Sequence, residues 1–205
     1  MKKLLLLFFL VSTCSVFADT TGYYVWVQKA SFPPLARHRC IGFSIGDKGY
    51  LGLGHVNAGG VTIAYADFWE YDHATNTWTQ KADFAGGNRY AAIGISIGNK
   101  GYAGCGLSSS FGQFNDWWEY NPVTNLWLQK APLPGPPREG GSGFSMNGKG
   151  YAGLGYYSDW YEYDPVTGVW TPKAIFPGSP QYAPTFVIDT LGYVCTGEYT
   201  FPSQL

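Results

Sequence analysis

Arg37, Arg89 and Arg138 occupy equivalent places, each shortly before a glycine-spaced apolar run. Guanidinium groups gathered on one surface could hold a carboxylate, an acidic peptide or a charged sugar through paired N–H donors. Glu70, Glu119 and Glu162 recur as well, each inside an Asp-aromatic-aromatic-Glu-Tyr segment. Acid–base work on a glycoside needs two carboxyl groups facing each other at about 5–10 Å, and carboxylates repeated once per unit are spread apart instead. They read as structural hydrogen-bond acceptors. His38, His55 and His73 have no short metal-ligand spacing. No catalytic constellation, metal site or cofactor motif is visible. One rule sorts the candidates. A residue that returns in every unit is most simply explained by the shape of the unit, whereas one that appears once, or that the repeats bring to a common centre, is the better functional candidate.

The 205 residues include 18% aromatics, 28 glycines and 13 prolines, with 13% charged. That mixture argues for a folded chain of short strands and many turns. Net charge is −1 with no basic run, so nucleic acid finds no electrostatic footprint. Residues 1–18 read as a secretory signal: Lys2 and Lys3, the apolar run Leu4 to Val11, then Val16-Phe17-Ala18 before the cut. The segment is too short to be a spanning helix. A second reading makes Cys14 an acylated lipoprotein cysteine, although Thr13 fits poorly before it. The expected location is secreted or periplasmic. Cys40, Cys105 and Cys195 would remain, an odd number that leaves at least one thiol without an internal partner. They read as small side chains packed in tight strands.

These residues are positioned by a repeat. Asp67-Phe68-Trp69-Glu70-Tyr71-Asp72 returns at Asp116 and Asp159, 49 and then 43 residues on, each time followed by a turn and a tryptophan, Trp78, Trp127 or Trp170. Each unit predicts four strands: an apolar one such as Ala92 to Ile97, a tight turn, a Gly-Tyr strand such as Tyr102 to Gly106, the Asp-aromatic strand, and a strand carrying the tryptophan. Adjacent aromatics on the third strand must point to opposite sheet faces, so both faces are buried. Glycines on inner strands and aromatics on outer ones suit wedges packed around an axis. The fold class expected is all-β, a β-propeller of four-stranded antiparallel blades.

The unit resembles the kelch repeat. The stretch Asp67 to Trp78 followed by Thr79-Gln80-Lys81-Ala82 is similar to the secreted kelch-repeat proteins of Bacteroidetes-type bacteria. The resemblance runs through nearly everything after residue 18, with Gly-x-Gly in place of the usual adjacent glycine pair. It implies a propeller with one blade completed from both chain ends. Some kelch domains bind acidic peptides through arginines, and others are copper sugar oxidases or sialic-acid mutarotases.

Blades are expected at about 36–82, 88–131 and 138–174, with an orphan outer strand at 23–30 and a partial blade at 181–199. Propellers generally use about four to eight blades, so the sequence reads as a fragment whose remaining blades come from elsewhere in a longer protein.

Loop lengths choose a face. The connection between second and third strands shrinks from twelve residues (55–66) to nine (107–115) to three (156–158). Variable loops on a constant scaffold are where binding resides. Arg37, Arg89, Arg138 and His55 are therefore the candidate ligand contacts, although the rule above favours reading the arginines as caps on backbone carbonyls. The expected function is a binding module for protein, peptide or glycan. The alternatives are a sugar-acting propeller enzyme of oxidase or mutarotase type, or a structural, cell-surface part of a larger secreted protein.

Overall fold

The computed structural model describes residues 16–18, 24–195 and 197–198. Most of the expected leader and Cys14 lie outside the described residues. The short strands β1 (Val16–Ala18) and β2 (Tyr24–Trp26) pair with each other.

Three four-stranded antiparallel blades follow. The first is β3 (Ile41–Ile45), β4 (Lys48–Gly52), β7 (Phe68–Asp72) and β8 (Thr77–Lys81), with β5 (His55–Ala58) and β6 (Val61–Ala64) forming a hairpin inside its long loop. The second is β9 (Ile93–Ile97), β10 (Lys100–Gly104), β11 (Trp117–Asn121) and β12 (Leu126–Lys130). The third is β13 (Ser142–Met146), β14 (Lys149–Gly153), β15 (Trp160–Asp164) and β16 (Val169–Pro172). A two-stranded blade, β17 (Thr185–Ile188) with β18 (Leu191–Val194), ends the described fold. The described residues contain no helix. The fold is all-β and is a partial propeller.

The first strands lie side by side in the order β3, β9, β13, β17 and so line the axis. Close approach there explains the inner glycines. A Cβ on Gly94 would sit 2.7 Å from the Cβ of Ile41 in the neighbouring blade, inside any tolerable contact. Outward, the wedge fills with aromatics: Phe68, Trp117, Tyr120 and Tyr163 are fully buried between blades.

Repeated polar residues sew each blade together. Tyr50, Tyr102 and Tyr151 donate to Glu70, Glu119 and Glu162 at 2.5, 2.8 and 2.9 Å. Lys81, Lys130 and Lys173 reach the same carboxylates at 3.5, 3.2 and 2.7 Å. The glutamates therefore join strands two, three and four, the structural role expected of them. Burial and the adjacent glutamate push the Tyr50 and Tyr102 phenols well up, keeping them protonated donors.

The tryptophans sew blade to blade. The indoles of Trp78, Trp127 and Trp170 donate to the carbonyls of Ala30, Ala82 and Ala131, each at the end of the preceding outer strand. Residues up to Ala30 thus dock on the first blade as the tail of a blade before it would, while the strand there is limited to β2. Cys105 and Cys195 fall one residue past β10 and β18, not within them. All three described cysteines are free thiols, and burial pushes the Cys105 thiol up to about 12, which makes it inert.

Candidate functional site

The side chains of Arg37, Arg89 and Arg138 are almost fully buried, at 3%, 0% and 0% exposure. Each sits four residues before its first strand and turns into the blade. Arg89 grips Asp116 with both terminal nitrogens, at 2.5 and 3.0 Å, and donates to the Cys105 carbonyl at 2.9 Å. Arg138 repeats this with Asp159 and the Leu154 carbonyl, and Arg37 with Asp67 and the Leu53 carbonyl. The aspartates in turn accept the indole N–H of Trp69 and Trp118 at 2.8 and 2.7 Å.

The same arginines fix the variable loops. Tyr65, Phe114 and Tyr157 lie over the three guanidiniums at 3.9, 4.0 and 4.9 Å, one aromatic from each loop. The Arg89 and Arg138 backbones also take the loop of the blade before, donating to the carbonyls of Tyr65 and Phe114. Of the two readings of these arginines, their burial and their aspartate and carbonyl partners favour the cap over the ligand contact. Their terminal N–H groups are spent on aspartate and carbonyl groups, the pairing that makes burial of a guanidinium tolerable, and only the Arg89 Nε lacks a partner among the described residues.

What faces the channel mouth is the sequence just after each arginine. Ala91, Gly140 and Tyr182 donate backbone N–H groups to the carbonyls of Arg39, Ala91 and Gly140, so one residue per blade joins a main-chain arc about the axis. All four have left-handed φ, between 52° and 61°. Their side chains and those of the preceding residues differ in every blade: His38 and Arg39, Tyr90 and Ala91, Glu139 and Gly140, Gln181 and Tyr182.

Here the once-only residues gather. Arg39 is exposed and its guanidinium lies 4.7 Å from the Tyr182 ring centre. The Tyr182 hydroxyl donates to Glu139 at 3.4 Å. Burial, then Glu139, pushes the Tyr182 phenol up, with Arg39 opposing, and the same two charges act on Tyr90. Tyr90, Ala64, Ala91 and Leu107 form a small buried cluster under Tyr182.

His55 belongs to this cluster but is not offered to solvent. It is 3% exposed, stacked on Tyr90 at 3.8 Å and on His38 at 4.0 Å. Neither ring nitrogen has a protein partner. Burial, reinforced by His38 and Arg39, lowers its pKa to about 4, so the ring is neutral near pH 7. The geometry makes it a floor beneath the mouth instead of a direct contact. His73 lies in the turn at the opposite end. Among the described residues, no group of three metal-ligating side chains comes together.

The sequence reading missed Arg39, Tyr90, Glu139 and Tyr182. Their signal was available: they stand one or two places after the repeated arginine, or after Pro180 where that arginine is replaced, and they fail to repeat.

No established family and no curated protein matches this sequence. Among solved structures the chain is similar to YjhT, a kelch-repeat propeller protein, with a TM-score of 0.70 at 17% identity over 84% of this chain. The match covers 62% of the YjhT chain, so the chain spans about three fifths of that protein. At that identity the likeness is one of fold: the blades are those of a kelch-like propeller.

Proposed function

We propose that the chain is a secreted or periplasmic binding module that takes a peptide, protein or glycan ligand at its channel mouth. One observation carries the reading. Arg39, Glu139 and Tyr182, each present once, are brought together above the buried Tyr90 by an arc of backbone bonds, inside a rim of loops of different length. Arg39 supplies donors for a carboxylate, Glu139 accepts from hydroxyl or ammonium groups, and Tyr182, supported from beneath by the buried Tyr90, gives a flat surface for a sugar ring or a peptide side chain.

The test is a glycan and peptide array probed with the full chain, followed by titration of whatever binds. Changing Arg39→Ala, Glu139→Gln and Tyr182→Phe together is expected to remove binding with the fold intact. Full binding by that triple variant would refute the assignment.

A second reading, a propeller enzyme acting on sugars, is favoured by one contact. A phenol and a carboxylate 3.4 Å apart can give and take a proton on a bound sugar. Conversion of a bound sugar, or exchange between its anomers followed by NMR, separates turnover from binding alone.

A further inference from the structure

A cleft of about 420 Å³ opens at the end of the propeller opposite the channel mouth, between the second and third blades. It is lined by the turn Gly98-Asn99 with Lys100, by Tyr102, Glu119 and Lys130, and by Gly148, Pro165 and Val166 from the next blade.

The repeat shows what is unusual there. The lysine that opens the second strand of each four-stranded blade is tied off in the first and third. Lys48 reaches Asp72 at 2.8 Å and Asp47 at 3.9 Å, and Lys149 bonds Asp164. In the second blade both carboxylate positions carry amides: Asn99 stands where Asp47 does, and Asn121 where Asp72 and Asp164 do. Among the described residues the Lys100 side chain makes no ion pair or hydrogen bond, its backbone being paired with Ile97 in the strand ladder. Within the cleft Lys130 is already balanced by Glu119 at 3.2 Å, and the neighbouring Lys149 and Asp164 balance each other. One uncompensated positive charge therefore faces a concave surface whose far wall, Pro165 and Val166, is apolar.

We infer that this cleft binds a small organic carboxylate, its anionic end on Lys100 and its apolar end against Pro165 and Val166. A single charge at one end matches a monoanion with a short apolar tail better than a multiply charged ion. The site is separate from the channel mouth and does not depend on what binds there.

The repeat also supplies the control. Asn121→Asp places in the second blade the residue that the first and third already use, which ties Lys100 off as Lys48 and Lys149 are. It leaves the turn intact, because the side-chain oxygen at this position accepts the Val123 N–H just as Asp164 accepts that of Val166. The experiment is a butyrate titration of the ¹⁵N-labelled full chain, followed by amide shifts of residues 97–100 and 148, with butyramide as the neutral isostere. Saturable shifts are expected with butyrate and not butyramide, weakened at least tenfold in both N121D and K100Q. Equal response to butyramide, absence of saturable shifts, or unchanged binding by both variants would overturn the assignment. N121D melting at or above the wild-type temperature shows that lost binding is not lost fold.

Discussion

Arg39 of the first blade stands over the ring of Tyr182 of the fourth, 4.7 Å from its centre, and so joins the two ends of the main-chain arc at the channel mouth. This exposed arginine and its buried neighbour Arg37 differ by two positions and by everything else. Arg39→Ala removes one exposed cation–π contact, with an expected loss of about 1 kcal/mol in chemical denaturation. Its larger effect is expected on ligand affinity.

Arg89→Ala should behave in the opposite way. It strands Asp116 in a half-buried site, and removing one partner of such a pair costs about 3–5 kcal/mol. Asp116→Asn tests the same bond from the other side and should fall near the lower figure. Urea unfolding of the variants measures both. A loss below about 1 kcal/mol for Arg89→Ala would return these arginines to the list of ligand contacts.

His55 makes stability depend on pH. Its folded-state pKa of about 4 lies below the ordinary value of 6.5, so the unfolded chain binds the proton first as pH falls. The contribution is complete above pH 6.5 and drains away between pH 6.5 and 4, to a maximum of ~3 kcal/mol. His55→Phe keeps the stacked ring and removes the titration. Its unfolding free energy should fall less steeply than that of the wild type over that window, and equal slopes would assign the acid sensitivity to other groups.

Gly168 marks a weak joint. In the first two blades Asn76 and Asn125 accept both the hydroxyl of a core tyrosine and the backbone N–H of the preceding blade's tail, at 2.8 and 2.8 Å, and at 2.9 and 2.9 Å. The third blade has glycine in that position, and the buried Tyr163 hydroxyl has no partner. Gly168 has the same left-handed φ, 72°, and open space around its Cα. Asparagine tolerates that conformation, so Gly168→Asn is expected to stabilise by about 1 kcal/mol, read as a higher melting temperature.

The blades were legible because their cause is local. The Asp-aromatic segments and the Gly/Asn turns state strand, turn and face within a dozen residues. The roles of the arginines were not, because the aspartates that occupy them lie 30, 27 and 21 residues downstream. The recurrence of Arg37, Arg89 and Arg138 argued for scaffold, and their nearness to the mouth argued for binding. Only the direction of the side chains, into the blade, decides between the two. Tyr182 stood out in the sequence only as a residue that fails to repeat; that Arg39 and Glu139, from other blades, are its neighbours is something no spacing discloses.

The main-chain arc at the mouth has a consequence for descent. Because the bonds from Ala91 to Arg39, Gly140 to Ala91 and Tyr182 to Gly140 use no side-chain atom, the lining can be exchanged one residue at a time while the arc holds. Relatives sharing these blades can therefore diverge in what they recognise by point changes alone, without any insertion or rearrangement of the chain.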